Sequence, residues 1–354
     1  MSSDTTVETT PAPAAPRPHR PAWPARVVLV LASVWTLFVL LNLLLSGRWW
    51  PWLVFSLVPP LAYPIGCLTL LAGGLVRRLR TRASAAVSLA GLVLALPQAG
   101  LLPQALWHRA PHTGERVRVV AWNTEYWHQG EDPGAFYSRL RGLGADVYLL
   151  SEYLGDDGGR VVAIDDRAAL DRAFPGYHIV IKGQLVTVSR LPVVGVPSTT
   201  DQDLLRVDLA TPRGVRFSTY NVHVPAQLDP TASPLSGRFW ATLRQRARDR
   251  AHTYRAVRGS AGADTSPGVI AGDLNTTASM GDLRKAAGLG ADAALAGGSA
   301  VPLSWNAHHP IRLWRLDWMF TRDGLSARHY RLLDPWGTSD HRVQLMDAVV
   351  EERS

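Results

Sequence analysis

The sequence has very little cysteine: Cys67 is the single cysteine among 354 residues. An intrachain disulfide is therefore excluded, and cysteine usage does not distinguish an oxidising from a reducing compartment. Cys67 lies within an apolar run, where a thiol usually packs as a small hydrophobic group and is unreactive. A cysteine nucleophile is not expected.

Charge is also scarce, at 19% of the residues, and it is unevenly distributed. Residues 1–112 contain nine Lys or Arg and two Asp or Glu, whereas residues 113–354 contain 28 and 27. The net charge of +8 therefore belongs almost entirely to the N-terminal part. The high isoelectric point does not indicate a nucleic-acid-binding surface, because the C-terminal part is nearly neutral.

The N-terminal part contains long runs without charge. Residues 1–25 are rich in Pro, Ala, Thr and Ser and are predicted to form a disordered tail. The membrane region predicted over 26–107 contains about three helices, at 27–45, 53–76 and 83–106. The first run is about the length that crosses ~30 Å of hydrocarbon as a helix. Prolines should kink the second helix, and the third is polar enough either to span the membrane or to lie on its surface.

Arginine placement predicts the orientation of this region. Arginines precede the first run at 17, 20 and 26 and follow the second at 77, 78, 80 and 82. The positive-inside rule keeps both segments in the cytoplasm, so three spans would place the C-terminal domain outside the cell and two would place it inside. The long first run and the further apolar segments argue against a cleaved signal peptide. We predict a multi-pass cell-membrane protein with a cytoplasmic N-terminus and an extracellular C-terminal domain.

The pattern of apolar and polar residues changes from Val117 onward, where short β-rich segments alternate with helical ones. Segments such as "VRVVAWN", "VYLLSE", "FSTYNVHV" and "GVIAGDLN" are typical of buried strands. This pattern predicts one α/β or α+β domain over residues 113–350, which is long enough for a two-sheet core.

Polar groups suited to metal and phosphate chemistry follow or end several of these segments. They are Asn123, Glu152, His223, Asp273 with Asn275, Asp317, and Asp340 with His341. Taken singly, each has an ordinary explanation, because Asn and Asp after a strand commonly form turns and Thr276 or Thr277 could cap a helix. Taken together, groups at the ends of buried strands can converge on one edge of a sheet.

The order of these motifs resembles the endonuclease/exonuclease/phosphatase family, which includes pancreatic-type deoxyribonucleases, neutral sphingomyelinases and inositol polyphosphate 5-phosphatases. The resemblance covers about residues 116–350. It is carried most specifically by "GDLN" at 272–275 and "SDH" at 339–341, with "RLDW" at 315–318 between them. Ser151 departs from the family, which usually has Gln before its metal-binding Glu. The resemblance implies a four-layer sandwich, in which two β-sheets are flanked by helices.

The resemblance also implies a phosphoester hydrolase of the phosphodiesterase or nuclease type that uses Mg²⁺, for which Mn²⁺ could substitute. Glu152 is the implied metal ligand, with Asn123 and Asp340 beside it, and Mg²⁺ prefers such oxygen ligands.

The same resemblance implies the catalytic roles. Asp273, held by Asn275, would orient and deprotonate the attacking water. His341, oriented by Asp317, would contact the scissile phosphate. His223 would stabilise the negative charge that develops in the transition state.

The substrate stays open at this stage. One interpretation is a nuclease that acts on DNA or RNA, although a near-neutral domain argues mildly against tight duplex binding. Another is a lipid-directed phosphodiesterase or phosphatase, for which the predicted contact with the bilayer would place the site near phospholipid or inositol phosphate headgroups. A third is a catalytically silent binding domain. The presence of every polar group that the family resemblance implies argues against this interpretation.

Overall fold

The structure is a computed structural model that describes residues 23–75, 82–108, 113–127, 132–158, 160–228, 232–286 and 288–351. Most of the predicted disordered tail and five of the seven orienting arginines lie outside these residues: those at 17, 20, 77, 78 and 80. The helices are α1 (Trp23–Leu45), α2 (Ala62–Leu75), α3 (Arg82–Ala95), α4 (Pro133–Gly142), α5 (Arg167–Ala173), α6 (Gly237–Gly262) and α7 (Gly281–Ala286). Short 3₁₀ helices span Trp50–Leu57, Leu96–Gln98, Pro103–Trp107 and Ala293–Gly297.

The strands form two six-stranded sheets and one hairpin. The first sheet has the order β13 (Leu325–Leu333), β14 (Val343–Val350), β1 (Glu115–Asn123), β2 (Val147–Ser151), β6 (Leu185–Ser189), β5 (His178–Lys182). The second has the order β11 (Ala291–Asp292), β12 (Asp317–Arg322), β10 (Gly268–Asp273), β9 (Arg216–His223), β8 (Leu204–Ala210), β7 (Val193–Gly195). The hairpin pairs β3 (Leu154–Asp157) with β4 (Arg160–Ala163).

Alternating side chains bury both faces of the central strands, as β2 illustrates. Val147 and Leu149 contribute to the core between the two sheets. Tyr148 and Leu150 point the opposite way, because side chains alternate along a strand, and they pack in the layer formed with α4 and α5. A third cluster covers the outer face of the second sheet with side chains of α6. The predicted α/β architecture of two main sheets flanked by helices is confirmed.

The membrane prediction needs correction. Within the described residues, only α1 is long and apolar enough to cross a membrane, with a second span only if the bent pair Trp50–Leu57 and Ala62–Gly74 counts as one. The expected bundle of three full helices is not supported. Pro59 and Pro60 fall at the 70° bend that divides the second run, and the third run leaves α-helical geometry at Leu96, next to Pro97. The three apolar helices nevertheless pack together, and Cys67 is buried in their cluster.

Candidate active site

The strand topology brings all eight predicted site residues to one edge shared by the two sheets. The parallel strands β1 and β2 end together, with Asn123 opposite Ser151, and β9 and β10 end together, with His223 opposite Asp273. Because β12 runs antiparallel to β10, its first residue, Asp317, also lies opposite Asp273. The antiparallel strand β14 begins at this edge for the same reason, just after the "SDH" motif.

Asp273 lies at the centre of the site and is only 1% exposed. Its Oδ2 accepts hydrogen bonds from Nδ2 of Asn123 and from Nδ2 of Asn275, both at 3.0 Å, and its Oδ1 accepts from the Asn275 backbone N–H at 2.7 Å. Burial raises the pKa of Asp273 to about 6, even though the charge of His341 opposes this shift. A carboxylate with a raised pKa is a stronger base at neutral pH than an ordinary Asp.

His341 and Asp317 form a buried pair beside Asp273. Nδ1 of His341 lies 2.9 Å from Oδ2 and 3.1 Å from Oδ1 of Asp317, so it donates its proton to this carboxylate. Nε2 of His341 lies 3.7 Å from Oδ2 of Asp273 and 3.5 Å from Oδ1 of Asp340. Burial alone would lower the pKa of His341, but the charges of Asp317 and Asp273 prevail and hold it well above the ordinary value.

His223 faces two carboxylates on the other side of the site. Its Nε2 lies 3.7 Å from Oε1 of Glu152 and 3.6 Å from Oδ2 of Asp273. Its Nδ1 lies 2.9 Å from Oε1 of Gln184, whose Nε2 donates to Asp203 at 2.8 Å. Because Oε1 of Gln184 can only accept, Nδ1 of His223 must carry a proton.

Carboxylates gather at the outer part of the site. Nδ2 of Asn123 donates to Oε1 of Glu152 at 3.0 Å, and its Oδ1 accepts from the backbone N–H of Glu125 at 3.0 Å. Burial and the charges of four nearby carboxylates, including Glu152, Glu125 and Asp340, raise the pKa of Tyr126. Four carboxylates therefore surround this part of the site.

Sequence reasoning assigned no role to several residues that hold this site. Nε1 of Trp305 donates to Oδ2 of Asp340 at 2.6 Å. The buried Ser304 accepts from the backbone N–H of Asp317 at 3.1 Å, and Ser339 donates to the backbone oxygen of Asn123 at 2.8 Å. Ser339 belongs to the "SDH" motif, whereas Ser304 and Trp305 lie outside the three most specific motifs, and Gln184 had no sequence signal beyond its position at the start of a β-rich run.

The backbone is unusual around the site. Seven non-glycine residues among those described have a positive φ, and five of them are Glu125, Tyr126, Trp127, Glu152 and Asn275. Positive φ is uncommon for residues with a side chain, and it persists where the surrounding structure determines it. Glu152 (φ 61°) and Asn275 (φ 44°) leave their strands through this conformation.

The donor set fits a divalent cation. Among the described residues, the only ionic partners of the buried Asp273 and Asp317 and of the partly buried Glu152 and Asp340 are histidines, so negative charge is in excess. Such charge is costly unless it is paired or coordinates a metal. Ligand atoms of Asp273, Asp317 and His341 lie within 4.8 Å of one another and could hold an ion. Mg²⁺ prefers oxygen ligands, however, so the carboxylate oxygens of Glu152 and Asp340 suit it better than the imidazole of His341.

Two facing sheets with carboxylates and histidines at their common edge define an α/β phosphoesterase fold. The chain belongs to the endonuclease/exonuclease/phosphatase family, whose model matches residues 117–341. No match was found among curated proteins.

Solved structures with a similar fold come from bacteria and animals. One is the endonuclease/exonuclease/phosphatase from Beutenbergia cavernae DSM 12333, with 19% identity and a TM-score of 0.47, covering 66% of this chain and 72% of that one. Another is the human Nocturnin catalytic domain with bound sulfate, with 14% identity and a TM-score of 0.47, covering 70% and 100%. Sphingomyelinase C from Streptomyces griseocarneus has 15% identity and a TM-score of 0.43, covering 66% and 99%.

Proposed function

We propose that this protein is a membrane-anchored, Mg²⁺-dependent phosphoester hydrolase of the phosphodiesterase or nuclease type. The observation that carries the proposal is the position of Asp273, a buried carboxylate that contacts Asn123, Asn275, His223 and His341. Oδ2 of Asp273 accepts hydrogen bonds from two amides and lies next to two imidazoles, as expected for a general base.

The chain's own residues would carry out the proton transfer and charge stabilisation. Asp273 orients a water molecule and accepts its proton as the water oxygen bonds to phosphorus and the bond to the leaving oxygen breaks. Asn275 fixes the Asp273 carboxylate. His341, held by Asp317, contacts the phosphate, and His223 stabilises the negative charge of the transition state.

Glu152 and Asp340 would hold the metal through carboxylate oxygens, with Mn²⁺ as a substitute for Mg²⁺. When bound, the ion would neutralise charge on the phosphate and stabilise the leaving oxygen. Asn123, which the sequence suggested as a third ligand, uses its Oδ1 for Glu125 and its Nδ2 for Glu152. We keep Asn123 as a third ligand in the proposal, because its Oδ1 has a second lone pair beside the one that accepts from Glu125, and its Nδ2 would also orient Glu152.

The test is hydrolysis of bis-p-nitrophenyl phosphate by the full chain in detergent, with and without Mg²⁺. The isosteric D273N variant should lose about 10³-fold or more in kcat, because it removes the base. The matched control D171N changes an exposed Asp that pairs with Arg167 and should keep wild-type activity. Undiminished metal-dependent hydrolysis by D273N would overturn the mechanism.

The membrane arrangement supports a location on the side opposite the N-terminus. The C-terminal end of α1 contacts the catalytic domain directly, since Gly281 N–H donates to Oγ of Ser46 at 2.8 Å. With α1 as a span and the N-terminus in the cytoplasm, residues 113–350 form an extracellular catalytic domain, and 26–107 form the membrane region. Any odd number of membrane-spanning segments would place residues 113–350 on the same, extracellular side. A reporter fused after Ser354 that is active only in the cytoplasm would contradict this topology.

A lipid phosphoester is the second candidate substrate, and one contact favours it. Nε1 of Trp314 donates to the backbone oxygen of Leu57 in the 3₁₀ helix that follows α1, and the ring of Trp314 packs 5.3 Å from that of Trp305, which bonds Asp340. Two side chains thus connect the apolar segment to a proposed metal ligand. Comparison of DNA, RNA, phospholipid and inositol phosphate substrates separates the candidates, and an Mg²⁺ titration separates an enzyme from a silent binding domain.

A further inference from the structure

Asn42 is a buried polar residue in the apolar helix α1, within the sequence "FVLLNLLL". Its Nδ2 donates to Oε1 of Gln98 at 2.7 Å and to the backbone oxygen of Ser279 at 2.8 Å. Its Oδ1 accepts from Nε1 of Trp52 at 2.7 Å. The amide thus uses both of its donors, and it connects three segments of the apolar region to one loop of the catalytic domain.

That loop begins at the proposed catalytic pair. Ser279 follows Asn275 by four residues, and α7 begins two residues later. On its other side the loop is fixed by the catalytic domain: Nε1 of Trp318 donates to the backbone oxygen of Thr276 at 2.7 Å, and Gln227 donates to the backbone oxygen of Asn275. The segment between Asn275 and α7 is therefore held between the catalytic domain and α1.

Two glycines allow the backbones of α1's end and this loop to touch. A Cβ added to Gly281 would lie 1.7 Å from the backbone oxygen of Ser46, and one added to Gly47, at φ +73°, would lie 2.5 Å from the carbonyl carbon of Gly281. Only residues without a Cβ permit such an approach. The contact is thus specific in its geometry, and it is not a loose apolar packing.

The catalytic domain also completes the end of α1. The last carbonyls of a helix have no partners within the helix and need donors from elsewhere. Nη2 of Arg284 donates to the backbone oxygens of Leu43 at 3.1 Å and Ser46 at 3.0 Å. Its positive charge also suits a helix C-terminus. The two parts therefore satisfy each other's backbone groups.

We infer that the end of α1, through Asn42 and Ser46, positions the loop that carries Asn275 and so sets the geometry of the Asp273–Asn275 pair. Asn42 and Ser46 are positioning residues that act through the backbone of Ser279 and Gly281. The inference rests on the proposed function for its effect on rate. It differs from simple anchoring, in which α1 would only hold the domain at a membrane and its loss would leave the turnover of the folded protein unchanged.

The experiment uses the full chain in lipid nanodiscs and compares N42L and S46A with T36V. Thr36 is the matched control because it lies on the same helix and donates to the backbone oxygen of Val87 within the apolar region. N42L should lower kcat for bis-p-nitrophenyl phosphate about tenfold or more with little change in KM, since small displacements of catalytic groups cost rate. S46A removes one hydrogen bond and should lower kcat about threefold to fivefold, in keeping with a loss of ~1 kcal/mol. T36V should stay at the wild-type value.

Hydrogen exchange of the amides at 275–281 gives a readout that does not depend on catalysis. N42L and S46A should speed exchange there about fivefold or more, whereas T36V should not, because exchange reports local opening. If S46A and N42L leave both exchange and kcat unchanged, α1 only anchors the domain and the inference is overturned. If the wild type hydrolyses nothing, the proposed function fails, and the exchange measurement still decides whether α1 holds the loop. If N42L does not fold, S46A decides.

Discussion

Nδ1 of His341 and Oδ2 of Asp317 lie 2.9 Å apart in a site that buries both side chains. The two residues come from different sheets: Asp317 begins β12, and His341 precedes β14. The pair therefore bridges the two halves of the sandwich, and it fixes the orientation of the imidazole, whose Nε2 points towards Asp273.

Replacement of Asp317 by Asn should strongly reduce activity while the protein stays folded. The amide keeps the shape of the carboxylate but removes the charge that holds His341 protonated, so we expect kcat to fall about 10²-fold or more. Steady-state kinetics on a phosphodiester, with D171N as the control at an exposed carboxylate, checks this. Equal kcat values for D317N and the wild type would exclude a role for His341 in its charged form.

Loss of the Gln184 side chain should impair His223. The amide oxygen at 2.9 Å fixes the proton on Nδ1, so Q184L should allow the other tautomer and lower kcat about tenfold, a value typical of lost support for a catalytic group. NMR of the His223 ring nitrogens should show a mixed tautomer in Q184L. T187V, on the strand β6 that Gln184 precedes, is the control, because the Thr187 hydroxyl has no hydrogen-bond partner in the described part of the chain. An unchanged ring spectrum would contradict the assignment.

Removal of the Trp305 indole N–H should weaken metal binding. W305F keeps an aromatic ring but deprives Asp340 of its 2.6 Å hydrogen bond, so we expect the Mg²⁺ dissociation constant to rise about 10-fold to 100-fold. Calorimetric titration measures this directly. W336F replaces a partly exposed tryptophan that packs on Trp122, and it should bind Mg²⁺ like the wild type. If W305F binds as tightly as W336F, Asp340 is not a ligand.

Asp264 should make stability depend on pH in the acid range. Burial alone would raise the pKa of Asp264, but hydrogen bonds from Ser218, Ser266 and Tyr220 lower it to about 2, below its ordinary value of 3.8. The folded state therefore favours the ionised form, and this contribution is complete above the ordinary pKa and is lost as the pH falls through 3.8 towards 2.

The measurement is the melting temperature of the full chain between pH 2 and pH 6. D264N should be less stable than the wild type at pH 6, by about 1–3 kcal/mol for hydrogen bonds to a charged group, and the difference should shrink on acidification. D171N should show the wild-type pH profile. A constant difference between D264N and the wild type over the whole range would contradict the assignment of the shift to Asp264.

The strand pattern predicted where the proposed site residues meet better than the apolar runs predicted the helices of the membrane region. Groups at the carboxyl ends of parallel strands meet at one edge, so Asn123, Glu152, His223 and Asp273 could be placed together from the strand pattern and the family resemblance alone. Gln184, the hydrogen-bond partner of His223, could not be predicted to lie at the site. It precedes β6, and the pairing of β2 with β6 brings it there.

An apolar run in the sequence shows that a segment is hydrophobic, but it does not show whether that segment forms one continuous helix. Residues 53–76 read as one helix, yet the structure bends by 70° between Leu57 and Ala62, where two prolines remove backbone donors. The role of Asn42 was also hidden, since an isolated polar residue in an apolar helix gives no sign of its partner 237 positions away.

The backbone contact between Gly47 and Gly281 limits how far the catalytic domain can move from the end of α1. A flexible linker lets a tethered enzyme sample a volume that grows with linker length, and its effective concentration depends on that volume. Here Gly47, two residues after the end of α1, contacts the catalytic domain directly, so the distance between α1 and that domain is set by this contact and not by the length of a linker. If α1 spans a membrane, this contact would hold the proposed active site at a fixed distance from the bilayer, and that distance would limit which substrates can reach it.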